Sequence, residues 1–484
     1  MKTERLAIAF LLFFVGAAQI LSMPRVLYPS DPVFSQAEAA RFLNEGKLDF
    51  DYEDNAYFNP PGKYIVKNEV NGRFYSKYGI GNSIFFLIPL AAEKLFSGGK
   101  LPLRDSPNRV HFLNFFNLFL SWIAAFLLYS CARTLTHRPG VAVAWVITTF
   151  YCTFLWSYLR LQATEIFQIV LFSAFALQCL RWTRRKGSES RLWATVLLLV
   201  LVKTSYLTLV PVVAYFLYRD SRKLARSILP GIGITGILLA IQWWKFGSPF
   251  LTGYHQYATD LFRPSLSTWK DSVPGFGWSA HKSIFLYFPT LLLALPEFHR
   301  CRKENSRGWN WLLVSIGIQA LYFFSFPGWT GDWCYGPRYL LPLATVLSLP
   351  AVRLFEKAWL KRKSVRTWLV SACVGACLAY SFFLQYWVNA FHPFAWFYVR
   401  APLGYFLTPA SETYFAKMHP ATLNRLIWAH RNHLKDLPYI PLISSEVTEA
   451  DWNRYFDFLR ERVLQSNFMW FSEKSRLPED WRTH

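Results

Sequence analysis

Residues 192–218, LWATVLLLVLVKTSYLTLVPVVAYFLY, determine how this 484-residue chain must be built. About 20 apolar residues span a bilayer as a helix, and this longer run carries one charged side chain, Lys203. Basic residues stand on both sides, at Arg191 and Arg219. Short basic loops stay on the cytoplasmic side of a membrane, so the chain between them must cross an even number of times. The run therefore predicts a helical hairpin or re-entrant pair that bends near Lys203.

Apolar runs of this kind recur along the chain, separated by short basic loops. Their number and length predict an all-α polytopic membrane protein, because only helices and closed barrels satisfy the backbone within lipid. The other runs are Leu6–Leu21, His111–Tyr129, Val141–Tyr158, Ile166–Leu180, Ile228–Trp244, Ile284–Leu295, Trp311–Phe324, Tyr339–Pro350 and Trp368–Val388.

Composition supports a membrane protein and argues against a nucleic-acid binder. The chain is 53% apolar and 19% aromatic, with only 17% charged residues, against roughly 25% in soluble domains. Such a chain does not match intrinsic disorder. A net charge of +22 would otherwise suggest a polyanionic partner. However, nineteen cations lie in the loops at 181–191, 219–226, 300–307 and 353–366, where they act as topology signals, so membrane lipids are the expected partners and nucleic acid is not.

The same loops predict which segments face outward. A basic N-terminus places the first run outward, so residues 22–107 form a long external loop, and 1–389 form the membrane domain with 390–484 as an external C-terminal segment. A cleaved signal peptide is the alternative for the first run. Residues 448–463 predict an amphipathic helix. The seven cysteines show neither a disulfide framework nor zinc spacing.

The external loop contains two candidate functional residues. Asp31 follows the first apolar run closely enough to lie at the membrane face; the alternative is a helix N-cap for an amphipathic stretch at 33–43. Lys77 lies in GRFYSKYGIGN, residues 72–82, just before an amphipathic apolar segment at 83–96. Glycines there allow close approach of backbone to a ligand. Lys77 then meets a lipid phosphate or snorkels to bulk head groups.

Three further charged residues lie where a membrane makes charge costly. Glu165 begins an apolar run and either pairs with Arg160 or is functional. Lys203 needs an anionic partner or a water-filled cavity. Arg338 lies at the external mouth of a helix, where its planar fork suits phosphate; the alternative is a salt bridge to Asp332.

Several spaced motifs in this order resemble bacterial members of the GT-C superfamily: YSKYGIG, QATEIF, FGSPFLTGYHQ, SIFLYFPTLLLALP and GDWCYGPRYLLPL. These are polytopic glycosyltransferases that take sugar from a polyprenyl-phosphate carrier, related to protein O-mannosyltransferases and the lipid A aminoarabinose transferase. The resemblance covers residues 1–390. It implies a GT-C-like helix bundle with amphipathic helices in the first external loop, in a bacterial inner membrane with the active site facing the periplasm.

The resemblance also implies residue roles. Asp31 matches the catalytic carboxylate and Glu165 an acidic residue near the active centre, while Lys77 and Arg338 match cations that hold the carrier phosphate. Many relatives follow the aspartate with glutamate, whereas this chain has Pro32, which argues against a metal site. Further candidates are Lys203 and His281 for the phosphate, and Tyr75, Tyr78, Tyr254 and His255 for sugar or carrier contacts.

The resulting hypothesis is an inverting hexosyl or pentosyl transfer from a polyprenyl-phosphate sugar to an envelope lipid, glycan or protein. Asp31 would act as general base, without a certain cofactor. A lipid-linked sugar transporter or flippase is one alternative, although no inverted repeat is visible. A catalytically inactive relative that acts as a scaffold is another. Convergence of Asp31, Lys77, Glu165 and Arg338 at one end of the bundle would favour the enzyme.

Overall fold

The computed structural model describes residues 2–24, 32–51, 65–103, 106, 108–182, 188–254, 264–279, 282–329, 335–360 and 365–390. Its α-helices are α1 Lys2–Leu21, α2 Pro32–Glu45, α3 Ile80–Ser97, α4 Arg109–Ala132, α5 Pro139–Tyr151, α6 Leu155–Arg160, α7 Glu165–Trp182, α8 Glu189–Val202, α9 Leu209–Ser221, α10 Leu224–Phe246, α11 Trp269–Trp278, α12 Ile284–Tyr287, α13 Thr290–Ala294, α14 Phe298–Glu304, α15 Ser306–Ser325, α16 Leu341–Leu347, α17 Ala351–Leu360 and α18 Val365–Ala390. Short 3₁₀ turns cover Thr204–Thr208, Leu266–Thr268, Leu295–Glu297 and Arg338–Leu340.

The chain is an all-α polytopic membrane protein, as the apolar runs predict. By length and composition, five helices in the described ranges can cross a membrane, or six if the bent pair α16–α17 with its leading 3₁₀ turn is one span. Helix α7 is the centre of the bundle, with 78% of its apolar window buried, whereas α1 and α10 are only 22% buried. The core is therefore built around α7, and α1 and α10 present apolar faces outward.

The run at 192–218 breaks where the sequence predicts. Helix α8 ends at Val202, Lys203 has extended backbone (φ −149°, ψ 117°), and a 3₁₀ turn leads into α9. The connection into α8 and the end of α9 lie on one side of the bundle: Trp182, the last residue of α7, donates to Asp220 near the end of α9 at 2.7 Å. The chain therefore enters and leaves this hairpin on the same side.

Basic connections gather on that side, which we call the basic face: residues 133–138, 219–226, 297–307 and 353–357. A continuous chain of contacts joins them, which supports the positive-inside assignment, while the orientation relative to the cytoplasm stays a prediction. The contacts are Arg133 with Glu4 at 2.8 Å, Thr136 with Glu356 at 2.6 Å, Arg353 with Glu304, Asn305 with Leu180 at 3.0 Å, and Trp182 with Asp220.

Two expected single helices are instead divided. The run at 284–295 forms α12, α13 and a 3₁₀ turn, because Pro289 and Pro296 lack the amide hydrogen that a continuous helix needs. The run at 141–158 divides into α5 and α6, and the Phe154 amide at the break donates to the Tyr287 carbonyl at 2.9 Å. The freed backbone groups thus find partners in neighbouring segments.

The predicted external loop contains α2, α3 and a two-stranded antiparallel sheet. Strands β1, Ile65–Lys67, and β2, Phe74–Ser76, pair with Val66 opposite Tyr75. Helix α3 is long enough to span, yet both its ends lie opposite the basic face. Its start contacts the Lys203 end of α8, and its Glu93 forms a buried ion pair with Arg109, at the start of α4, at 3.0 Å. We infer that α3 runs along the membrane surface.

Candidate active site

Three of the predicted site residues meet at the end of the bundle opposite the basic face. Glu165, at the start of α7, forms an ion pair with Arg338 at 3.7 Å, and both side chains are about nine-tenths buried. The Arg338 guanidinium carbon lies 5.0 Å from the ring centroid of Tyr339, and the Lys203 ammonium lies 4.2 Å from the same centroid. One aromatic ring therefore holds two cations, with a carboxylate beside them.

The structure shows which partners Glu165 and Arg160 contact. The ion pair that the structure shows for Glu165 is with Arg338, whereas the buried guanidinium of Arg160 donates to the carbonyls of Ser22 and Asn389, both at 2.6 Å. The alternative partner of Arg338, an aspartate at 332, lies outside the described residues.

Polar side chains hold the Lys203 turn in place. Gln319 of α15 donates to the Ser205 hydroxyl at 3.1 Å and accepts from the Thr208 hydroxyl at 2.9 Å. Lys203 also lies 4.9 Å from the Phe323 ring, which stacks on Tyr339 at 5.3 Å. The ammonium is therefore fixed in an aromatic corner between α8 and α15, although the run around it is apolar.

Lys77 belongs to a second group with two predicted tyrosines. Its ammonium lies 5.2 Å from the Tyr78 ring and 4.9 Å from the Tyr254 ring. Gly253 packs directly on the Lys77 backbone, where an added Cβ would lie 2.4 Å from Lys77 Cα. A side chain larger than hydrogen would separate the two loops.

The Lys77 loop packs against the end of α8, beside the Lys203 turn. A Cβ at Gly79 would lie 2.4 Å from the Leu201 carbonyl oxygen, and one at Gly81 would lie 2.7 Å from the Leu201 carbonyl carbon. The Asn82 side-chain amide donates to the Val202 carbonyl at 3.1 Å. These contacts make the two cationic groups neighbours along one helix end.

A buried ion pair that the sequence analysis missed supports the Lys77 loop. Glu38 of α2 and Lys245 of α10 pair at 3.0 Å, with side chains 1% and 3% exposed. Glu38 also accepts from the Ser76 amide at 3.0 Å and the Ser83 hydroxyl at 2.6 Å, and Lys245 donates to the Tyr78 carbonyl at 3.1 Å. The pair therefore fixes the backbone on both sides of Lys77.

A second missed residue anchors the chain before Arg338. Lys282 is 3% exposed and donates to the Gly336 carbonyl at 3.0 Å. Gly336 itself has positive φ (64°), a conformation suited to glycine. The only sequence signal was a lysine beside the predicted His281, in a loop between apolar segments.

Tyr75 does not join these groups. It is 2% exposed and packs edge-on against Trp244, with ring centroids 5.3 Å apart. Its hydroxyl oxygen accepts from the Asn71 side-chain amide at 3.3 Å. Burial raises the pKa of its hydroxyl. Its position is that of a core residue beneath the two-stranded sheet.

Asp31, His255 and His281 lie outside the described residues. Helix α2 begins at Pro32, the residue after Asp31. Within the part of the chain that the structure describes, no group of three or more His, Cys, Asp or Glu side chains is placed to hold a metal ion.

Fold and site together define a polytopic helical membrane protein with a cluster of cations and a carboxylate opposite its basic face. No family model and no curated protein sequence matches the chain. Solved structures do match. The Archaeoglobus fulgidus oligosaccharyltransferase in complex with Zn and sulfate has a TM-score of 0.50 and 14% identity, over 94% of this chain and 61% of that one.

Two other solved structures are similar in kind. The oligosaccharyltransferase AglB from the same archaeon, with an inhibitory peptide and a dolichol-phosphate, has a TM-score of 0.48 and 12% identity, over 94% of this chain and 64% of that one. ArnT from Cupriavidus metallidurans, bound to undecaprenyl phosphate, has a TM-score of 0.47 and 13% identity, over 87% and 72%. The chain spans less than two thirds of the length of these oligosaccharyltransferases.

At these identities the likeness concerns the fold alone. The chain has a GT-C-type membrane fold, which confirms at the level of the fold the resemblance that the sequence motifs carry.

Proposed function

We propose that this chain is a membrane glycosyltransferase that moves a sugar from a polyprenyl-phosphate carrier to an envelope lipid, glycan or protein. The observation that carries the proposal is the meeting of Lys203, Arg338 and Glu165 around Tyr339, opposite the basic face. Two cations on one ring suit a phosphate, and the GT-C fold supports a lipid-linked donor. The external face, in a bacterial inner membrane, is part of the proposal.

The proposed roles divide between the two cationic groups. Arg338 and Lys203 stabilise the phosphate, whose negative charge grows as its bond to the anomeric carbon breaks. Glu165 holds the guanidinium by their ion pair and so acts as a positioning residue for Arg338. Lys77, between two tyrosine rings, binds the sugar-phosphate from the other side, and Tyr78 and Tyr254 contact the sugar.

Asp31 is the proposed general base. It would accept the proton of the acceptor hydroxyl as the hydroxyl oxygen attacks the anomeric carbon, and the lipid phosphate would leave with the bonding electrons. General-base catalysis contributes about 10² to 10⁴-fold to such a step. His255 and His281 remain candidates for donor contacts.

Reconstitution tests the proposal. The full chain in proteoliposomes receives radiolabelled polyprenyl-phosphate sugars and a crude envelope acceptor fraction, and transfer is measured. We expect Asp31→Asn to lose at least about 100-fold in transfer rate, and Lys203→Met to raise the donor KM. The matched control Lys100→Met removes an exposed cation and should leave transfer unchanged.

Two results would contradict the proposal that the chain is a glycosyltransferase. Movement of intact donor across the bilayer without transfer would identify a flippase. Donor binding with neither transfer nor translocation would identify an inactive relative. Unchanged transfer by Asp31→Asn would remove Asp31 from the mechanism while leaving the transferase itself standing.

A further inference from the structure

An apolar cavity lies between α9 and α10, and none of the candidate active-site residues lines it. It has a volume of about 650 Å³ and is lined by apolar side chains and two glycines of α10, a size typical of sites for small ligands. Its walls follow one stripe of each helix, from Val210 to Tyr218 on α9 and from Leu224 to Leu239 on α10. Because α10 belongs to the outward-facing part of the bundle, the cavity is open to the lipid.

The end of this cavity at Tyr218 and Leu224 adjoins the basic face. The segment 219–226, which covers the end of α9, the turn and the start of α10, carries four cations, and the one acid among them, Asp220, accepts from Trp182. The cations make no ion pair with any residue in the described ranges. They are Arg219, Arg222, Lys223 and Arg226.

Arg222 directly follows α9, and its backbone amide donates to the carbonyl of Tyr218, a lining residue, at 2.7 Å. Its backbone is left-handed (φ 56°), which no other non-glycine residue of the described ranges shares. That conformation is uncommon for a residue with a side chain. Arg222 is exposed and lies between Tyr218 and Leu224, two residues that line the same end of the cavity.

We propose that this cavity binds an acyl chain of an anionic glycerophospholipid, whose phosphate contacts the cations of residues 219–226. The apolar lining would contact the acyl chain, and the cations of residues 219–226 would bind the phosphate, as in basic pockets between membrane helices. The glycerophospholipid is favoured over the polyprenyl carrier because the four cations adjoin the Tyr218 and Leu224 end of the cavity, whereas the Lys203 and Arg338 cluster is at the other end of α9.

Two glycines of α10 provide a matched pair of variants. A Cβ at either Gly236 or Gly233 meets nothing within 4 Å, so a side chain can leave the backbone at both positions without a contact at its first carbon. Gly236 lines the cavity and Gly233 does not. Gly236→Leu therefore narrows the cavity, and Gly233→Leu makes the same change in helix propensity outside it.

Binding is measured by native mass spectrometry on the full chain in neutral detergent. The ligands are palmitoyl-oleoyl phosphatidylglycerol, phosphatidylcholine with the same chains, and glycerol phosphate as a head group without chains. We expect phosphatidylglycerol to bind at least about fivefold more tightly than phosphatidylcholine, since a cation near the membrane surface contributes about fivefold. Glycerol phosphate should not compete.

Gly236→Leu should abolish binding of both lipids, and Gly233→Leu should leave binding of both unchanged. Arg222→Gln should lower the affinity for phosphatidylglycerol about fivefold and leave the affinity for phosphatidylcholine unchanged. Equal binding of the two lipids, unchanged binding by Gly236→Leu, or competition by glycerol phosphate would overturn the proposal. Displacement of phosphatidylglycerol by one equivalent of undecaprenyl phosphate would do the same and would assign the cavity to the carrier.

Discussion

The buried pair of Glu38 and Lys245 gives the sharpest test of how the Lys77 loop is held. Lys245→Met removes the ammonium but keeps a side chain of similar length. Glu38, 1% exposed, would then be a carboxylate whose remaining partners among the described residues are the Ser76 backbone amide and the Ser83 hydroxyl. Breaking a buried pair by removing one partner costs about 3–5 kcal/mol, because an uncompensated charge stays buried.

The expected size follows from that cost. If the lost free energy destabilises only the structure around Ser76, about 3 kcal/mol raises the population of the locally unfolded state roughly 100-fold. The double variant Glu38→Gln with Lys245→Met leaves no buried charge, and its amide oxygen can still accept from Ser76. We therefore expect the double variant to recover most of the loss.

Hydrogen exchange of the Ser76 amide measures this directly, with thermal unfolding of the full chain in detergent as the second readout. Lys100→Met, which removes an exposed lysine, is the control. Protection at Ser76 unchanged by Lys245→Met, or a double variant as damaged as the single one, would refute the idea that this pair holds the loop.

Three further predictions concern other close contacts. Gly79→Ala should lower the melting temperature and the transfer rate, because its Cβ would lie 2.4 Å from a backbone oxygen, whereas Gly140→Ala, with nothing within 4 Å, should be neutral in both assays. Arg109→Met should destabilise the chain by about 3–5 kcal/mol in thermal unfolding by leaving Glu93, 1% exposed, without its partner; adding Glu93→Leu should restore most of that loss, and no recovery would contradict the ion-pair account. Lys282→Met should cost about 1–3 kcal/mol through the loss of a buried, charge-assisted hydrogen bond. Initial-rate kinetics should show a raised donor KM, since the Gly336 carbonyl that loses this donor also accepts from the Arg338 backbone amide at 3.1 Å.

Much of the fold was predictable because membranes impose simple rules. Lys203 in an otherwise apolar run, between two basic loops, predicts the break that the structure shows. The basic loops also predict which helix ends lie together. The division at 389 and 390 stays a prediction, because residues 391–484 lie outside the described ranges.

The pairing of distant polar residues was not predictable. Glu38 and Lys245 lie 207 positions apart, and helix periodicity places Glu38 on the polar side of an amphipathic stretch. The structure instead buries both sides of α2, from Phe34 to Arg41, because α3 covers one and polar contacts satisfy the other. Glu165 and Arg338 were each identified as candidates, but only the packing of α7 against the segment at 338–347 showed that they meet.

Helix α3 joins an outward apolar face to the candidate active site. Its outward residues Ile84, Ile88, Leu95 and Phe96 are 50–84% exposed and apolar, while its inward side touches the Lys203 turn and Arg109. A helix that floats at the boundary of the hydrocarbon keeps its level when the bilayer thins or thickens. With α3 at the membrane surface, as inferred above, the Lys203 turn that contacts its start keeps the same depth, which is set by this helix and not by the length of the crossing helices.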